Sequence, residues 1–292
     1  MIYLALISVI WAFSFGLIGS ALSGVDSFLV ATLRLSVASI IFLPFLRLKE
    51  IGSIDRFRLI IYGAIQFGLM YAFYMRAYQF IPSHLVAIFS ILTPVYVVLI
   101  HDLRRRTFSK HYLWVAILSV LGAASIKAKS IPSGDIWIGF GLMQAAGLAF
   151  AFGQVAYRDW KRAKPQATDR SVFALFSLGG VFSVGCFSLV LTDFQAVELS
   201  AEHWKAILYL GGVASGLGFF LWNKGASVSN PGTLAAFNNA VVPLAVLFSL
   251  FIFGEVRAMD AEDTIRFTIG TFFIGSAILM SKKLSNKHAE EL

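Results

Sequence analysis

The stretch Ala77-Tyr78-Gln79-Phe80-Ile81-Pro82-Ser83-His84-Leu85-Val86-Ala87-Ile88-Phe89-Ser90-Ile91-Leu92-Thr93-Pro94 is echoed 149 positions later by Ala226-Ser227-Val228-Ser229-Asn230-Pro231-Gly232-Thr233-Leu234-Ala235-Ala236-Phe237-Asn238-Asn239-Ala240-Val241-Val242-Pro243. Without a gap, Ala77 meets Ala226, Pro82 meets Pro231, Leu85 meets Leu234, Ala87 meets Ala236 and Pro94 meets Pro243; just beyond, Val97 meets Val246. A second window pairs Ala12-Phe13-Ser14-Phe15-Gly16 with Ala149-Phe150-Ala151-Phe152-Gly153, at an offset of 137. Biased composition makes single matches common. Two prolines at the same spacing, opening and then interrupting one apolar segment in each half, point instead to an internal repeat.

The surroundings of the repeat say what each copy is made of. The 292 residues are 58% hydrophobic, 15% aromatic and only 14% charged, with a mean hydropathy of +0.77. Such a composition belongs to a membrane, not to a soluble globule. Apolar stretches fall at roughly 2–22, 26–46, 59–80, 83–102, 111–127, 135–157, 171–192, 204–223, 232–253 and 266–281, each near the ~20 residues that a helix needs to cross a bilayer. Barrel strands would instead show segments of about ten residues with alternating polarity. The first stretch has no basic leader and is too long for a signal-peptide core, so it reads as the first span. Five spans per half is an odd number, so the second copy must run through the membrane upside down. The expected fold is an all-α membrane protein of ten transmembrane helices in two inverted-topology five-helix repeats, over 1–129 and 134–284.

Charge then orients the chain. With the N-terminus inside, one side collects Arg47, Lys49, Arg56, Arg58, Arg104, Arg105, Arg106, Lys110, Arg158, Lys161, Arg162, Lys164, Arg170, Lys224, Lys282, Lys283 and Lys287. The other side keeps Arg76, Lys127, Lys129, Lys205, Arg257 and Arg266, and Arg34 falls within a span. The positive-inside rule places both termini in the cytoplasm of a bacterial inner membrane. The net charge of +8 is thus a topological signal, and no nucleic-acid partner is expected. One cysteine, Cys186, excludes an internal disulfide. No zincin, nucleophile-elbow or P-loop pattern occurs, so neither catalysis nor drive by ATP is expected, and no cofactor or metal.

Polar groups inside hydrocarbon are costly and so mark function or packing. Arg34 could hold a substrate carboxylate or fix helix packing through carbonyls. Pro94 and Pro243 are expected near the centres of their spans, freeing the carbonyls of Ser90 and Asn239 and serving as hinges. Trp11, Tyr71, Tyr74, Ser90, Gln144, Asn238 and Asn239 are the expected cavity residues. Gln66, Gln154 and Asn223 fit either packing or a cavity, and Trp222 either an interface or a cavity. His84 is a titratable helix end, and the Gly212/Gly216 pair allows close helix approach. The acidic residues all fall at span ends or in loops, so facilitated transport or exchange is favoured over proton pumping.

Together the ten spans, the inverted repeat, Trp11-Ala12-Phe13, Arg34, Ala77, Pro94, Ala226, Pro231, Pro243 and Phe253-Gly254-Glu255 resemble the ten-helix, EamA-type branch of the drug/metabolite transporter superfamily, with its carboxylate, amino-acid and amine transporters. The first half carries His101-Asp102 where the second has Gly254-Glu255, so the acidic helix end is carried over to Glu255 only. The resemblance implies an importer or exporter of small metabolites, amino acids foremost, working by alternating access. The alternatives are a nucleotide-sugar or sugar-phosphate carrier, which would want more buried cations than Arg34, and a non-transporting scaffold subunit. The expected partners are a small-molecule substrate and membrane lipid, with the protein a monomer or homodimer.

Overall fold

The computed structural model describes the chain except for residues 23, 78, 82–85, 87–88, 128–135, 254–258 and 291–292. His84 and Glu255 lie outside the described residues, as does the junction between the two expected halves. Among the described residues every regular element is helical. In chain order these are α1 (Ile2–Ala21), α2 (Ser27–Phe42), α3 (Ser53–Ala77), α4 (Thr93–Arg105), α5 (Lys110–Lys127), α6 (Trp137–Ala163), α7 (Asp169–Leu191), α8 (Ala201–Val228), α9 (Pro231–Phe248) and α10 (Ala261–Glu290). Seven of them, α2, α3 and α6–α10, contain apolar runs long enough to cross a membrane, and α1 and α5 carry shorter ones.

Local chemistry starts and stops these helices. Asp26 caps α2 by accepting from Leu29 N at 2.8 Å, and Ser200 and His203 form a reciprocal capping box on α8. Arg106 ends α4 in the left-handed conformation at φ 53°, and the Asp102 carboxylate receives the Ser109 N–H beyond it at 2.7 Å. Pro94 departs from its expected place. A 3₁₀ turn at Ser90–Leu92 leads into α4, which starts at Thr93, so Pro94 sits in the first helical turn. There its missing N–H has no intrahelical partner to lose. Pro243 lies inside α9, as expected, and the chain beyond widens into a π-helical turn at Ser249–Phe253.

The helix pairings repeat between the halves. α1 packs on α9 as α6 packs on α4, α1 on α8 as α6 on α3, and α2 on α8 as α7 on α3. α5 and α10 pack on each other at Gly122 and Gly270, where a Cβ on Gly122 would stand 2.7 Å from the Gly270 carbonyl oxygen. Only two bare backbones can approach so closely. The repeat extends to an irregularity. α3 opens into a π-helical segment at Ala64–Leu69, and α8 does so at Leu210–Leu217, which overlaps the 64–69 window shifted by the repeat offset of 149.

Candidate functional site

The π segments bring the central polar groups together. π-helical turns break the regular 3.6-residue stacking and recur at functional sites. In α8 the segment contains Gly211 and Gly216. A Cβ on Gly211 would stand 2.7 Å from Val37 Cβ and 3.1 Å from the Arg34 carbonyl, so α2 lies directly against it. That approach buries Arg34. Its Nε donates to Ser215 Oγ at 3.2 Å, and its guanidinium carbon lies 5.8 Å from the ring centre of Tyr71 on α3. Among the described residues no carboxylate pairs with it. The guanidinium thus lies between one hydroxyl and one aromatic face, and its planar fork of donors matches the geometry of a carboxylate.

A pocket of about 250 Å³ lies above this cluster on the seam of α2, α3 and α7, lined by Asp26, Ser27, Phe28, Met75, Arg76, Gln79 and Leu191. Met75 is one helical turn beyond Tyr71, and Phe28 shares its buried cluster. Arg76 is exposed at the pocket.

Beside Arg34, aromatic rings converge from three helices. Trp11 of α1 lies 4.8 Å from Trp222, 5.5 Å from Phe219 and 6.2 Å from Phe150, and its Nε1 donates to the Ala214 carbonyl at 2.9 Å, inside the α8 π segment. One turn toward the basic end, Gln154 of α6 joins α8 and α9. Its Oε1 accepts from Trp222 Nε1 at 3.1 Å and from Asn238 Nδ2 at 3.3 Å. Trp222 is therefore a buried member of this network and not an interface residue.

The other expected cavity residues divide. Tyr74 packs between two apolar clusters on α3. Gln144 accepts from Tyr96 Oη at 2.7 Å and donates to the Phe89 carbonyl at 3.3 Å, fastening α6 to the break before α4, where Ser90 is exposed and its carbonyl receives Thr93 Oγ1. Asn239 is buried and donates to the carbonyls of Ile91 at 3.0 Å and Ser119 at 3.3 Å, so in this conformation it cross-links α9 to α5 and to the turn before α4. Sequence reasoning did not single out Ser215 or Tyr96. The repeat offered a signal for the first, because the offset of 149 sets Ser215 opposite Gln66.

The basic ends of α4, α6 and α8 are laced together. Asp159 receives Arg104 Nε at 2.9 Å, Arg158 Nη1 at 3.4 Å and Arg105 Nη2 at 3.5 Å. Arg158 and Arg162 donate to the Ser229 carbonyl, each at 3.0 Å, and Arg162 donates also to that of Ser227 at 3.1 Å. Lys224 sits 5.0 Å above the Tyr3 ring and draws in the start of α1.

Comparison with known proteins supplies context for this geometry. Residues 1–127 match the EamA-like transporter family. A biotin transporter of Salmonella typhimurium is 34% identical over 259 residues, covering 87% of this chain and 85% of the relative. A probable biotin transporter of Pseudomonas aeruginosa is 36% identical over 257 residues, covering 87% and 90%. Protein PecM of Dickeya dadantii is 24% identical over 268 residues, covering 88% and 83%. One crystal structure, 16% identical, superposes with a TM-score of 0.78 over 96% of this chain and 97% of its own, a likeness of fold.

Proposed function

We infer the cargo and working cycle of this chain from one premise: it belongs to the EamA-like transporter family of the drug/metabolite transporter superfamily, and is a multi-pass membrane transporter of small metabolites, not an enzyme. The cargo is biotin or a close analogue that keeps its carboxylate. The observation that carries this reading is Arg34, a buried guanidinium whose partners among the described residues are the Ser215 hydroxyl and the Tyr71 ring, in a chain with relatives named for biotin. Biotin offers one carboxylate on a methylene chain and an apolar bicycle with a cyclic urea. The first suits Arg34 and the chain suits the rings of Trp11, Phe150 and Phe219. The amino acids expected from the sequence would also bring an ammonium, and among the described residues no carboxylate is bonded to or stacked on Arg34, Gln154 or Asn238.

In this reading the basic end faces the cytoplasm of a bacterial inner membrane, with both termini there, and the laced ends of α4, α6 and α8 form its closed gate. Cargo arrives through the pocket at Arg76, passes Tyr71 and docks on Arg34. Rocking of α3 and α4 against α8 and α9, within the repeats 1–129 and 134–284, then opens the opposite side, with Pro243 and the break before Pro94 as hinges. Counterflow tests the cargo. Proteoliposomes loaded in turn with unlabelled biotin and with amino acids should accumulate labelled biotin only in the first case. Exchange of an amino acid without exchange of biotin overturns the reading.

A further inference from the structure

Gln66 sits within the π segment of α3, at the position that corresponds to Ser215 of α8. Both residues are fully buried. Ser215 meets Arg34, whereas neither Nε2 nor Oε1 of Gln66 has a hydrogen-bond partner among the described residues. Buried carboxamides are almost always satisfied, because each unpaired group forfeits its hydration. What covers Gln66 is the bare backbone of α6 at Gly153. A Cβ there would run into the Gln66 side chain, standing 2.7 Å from its Oε1. Next to it Phe67 stacks on Phe219 at 4.3 Å, in the same ring group that Trp11 joins. Tyr71, under Arg34, follows Gln66 by five residues across the widened turns.

We propose that Gln66 is a specificity-determining residue of the transport reaction, whose carboxamide pairs with the cyclic urea of the cargo once α3 and α6 part at Gly153. This rests on the biotin reading above. A carboxamide presents an acceptor and a donor side by side, and the N–H and C=O of a urea match them in two parallel hydrogen bonds. Arg34 then holds the carboxylate at one end of the cargo and Gln66 the urea at the other. A plain fatty acid satisfies only the first, and leaves a buried amide unpaired at the second, which is how a site rejects an analogue that lacks a polar group. The unpaired amide of the free protein is the cost of this selectivity.

The test uses the full-length protein in proteoliposomes, comparing wild type with Gln66→Leu and the unbranched Gln66→Met. Three quantities are read: the thermal unfolding midpoint without ligand, KM for biotin in counterflow, and the preference for desthiobiotin over hexanoate as competitors. The inference expects an unchanged or higher midpoint, a KM raised at least tenfold and a preference reduced by a comparable factor. A folded variant with wild-type KM and wild-type preference overturns it, as does a lowered midpoint with transport intact, which marks Gln66 as packing alone. If the wild type itself exchanges no biotin, the cargo reading fails and the inference falls with it. If the wild type exchanges biotin and both variants match it, only the inference fails.

Discussion

Residues 64–69 of α3 and 210–217 of α8 occupy corresponding places in the two halves, and both widen into π-helical turns, yet they are packed and wired differently. The α3 segment begins beside Gly63, where an added Cβ would enter the carbonyl of Phe176 on α7. At the corresponding Gly212 of α8 an added Cβ would meet only Ile41 Cδ1, at 3.5 Å. Ser215 has its partner, and Gln66 has none among the described residues. A repeated fold therefore does not dictate a repeated site. Symmetry supplies the pairings α2 with α8 and α3 with α7, and different residues at one repeat position, Ser215 and Gln66, separate a hydroxyl bonded to Arg34 from an amide with no partner among the described residues.

The largest expected effect is on the glycines. Gly63→Val should prevent α3 and α7 from closing and cost about 3 kcal/mol or more, seen as loss of monodisperse protein in detergent. Gly212→Ala, its counterpart, should shift stability by less than about 1 kcal/mol, leaning toward stabilisation because alanine favours helix. Equal damage at both positions would break the contrast. Next in size, Arg34→Met should raise the KM for biotin about 10- to 100-fold, the worth of a charge-assisted hydrogen bond, with the protein still folded. Ser215→Ala, which removes only the hydroxyl that positions the guanidinium, should raise KM about fivefold, corresponding to about 1 kcal/mol. Smallest is the proline pair. Pro243→Ala should slow counterflow turnover about threefold with little change in KM, because it restores a hydrogen bond inside a helix that must bend. Pro94→Ala should do less, since Pro94 lies in a first turn. Unchanged turnover in both variants would remove the hinge role.

The repeat, the helical class and the placing of Arg34 within a span are legible in the sequence, because each rests on a pattern that hydrocarbon enforces. Apolar runs must close their own hydrogen bonds, and a lone arginine in such a run marks function or packing. The π segments were not legible in that way. They arise from how closely α3 meets α7 and α8 meets α2, and Gly63, Gly68, Gly211 and Gly216 permit that approach without announcing it. The direction of an amide is equally hidden. Asn238 and Asn239 are neighbours in sequence, but one turns to Gln154 and the other to the carbonyls of Ile91 and Ser119. Proline spacing suggests a bend near the centre of the fourth segment, whereas Pro94 sits in the first turn of a helix that follows a 3₁₀ turn, where Thr93 Oγ1 donates to the Ser90 carbonyl.

The central claim is that Arg34 receives the carboxylate of a biotin-like cargo. Calorimetric binding of biotin and of its methyl ester to purified wild type and to Arg34→Met tests it most directly, since the ester keeps the ring and chain and removes only the charge. The account expects the wild type to prefer the acid by about 10- to 100-fold and the variant to bind both alike and weakly. Wild-type protein that binds acid and ester equally well, or a variant that retains the full preference for the acid, would contradict it.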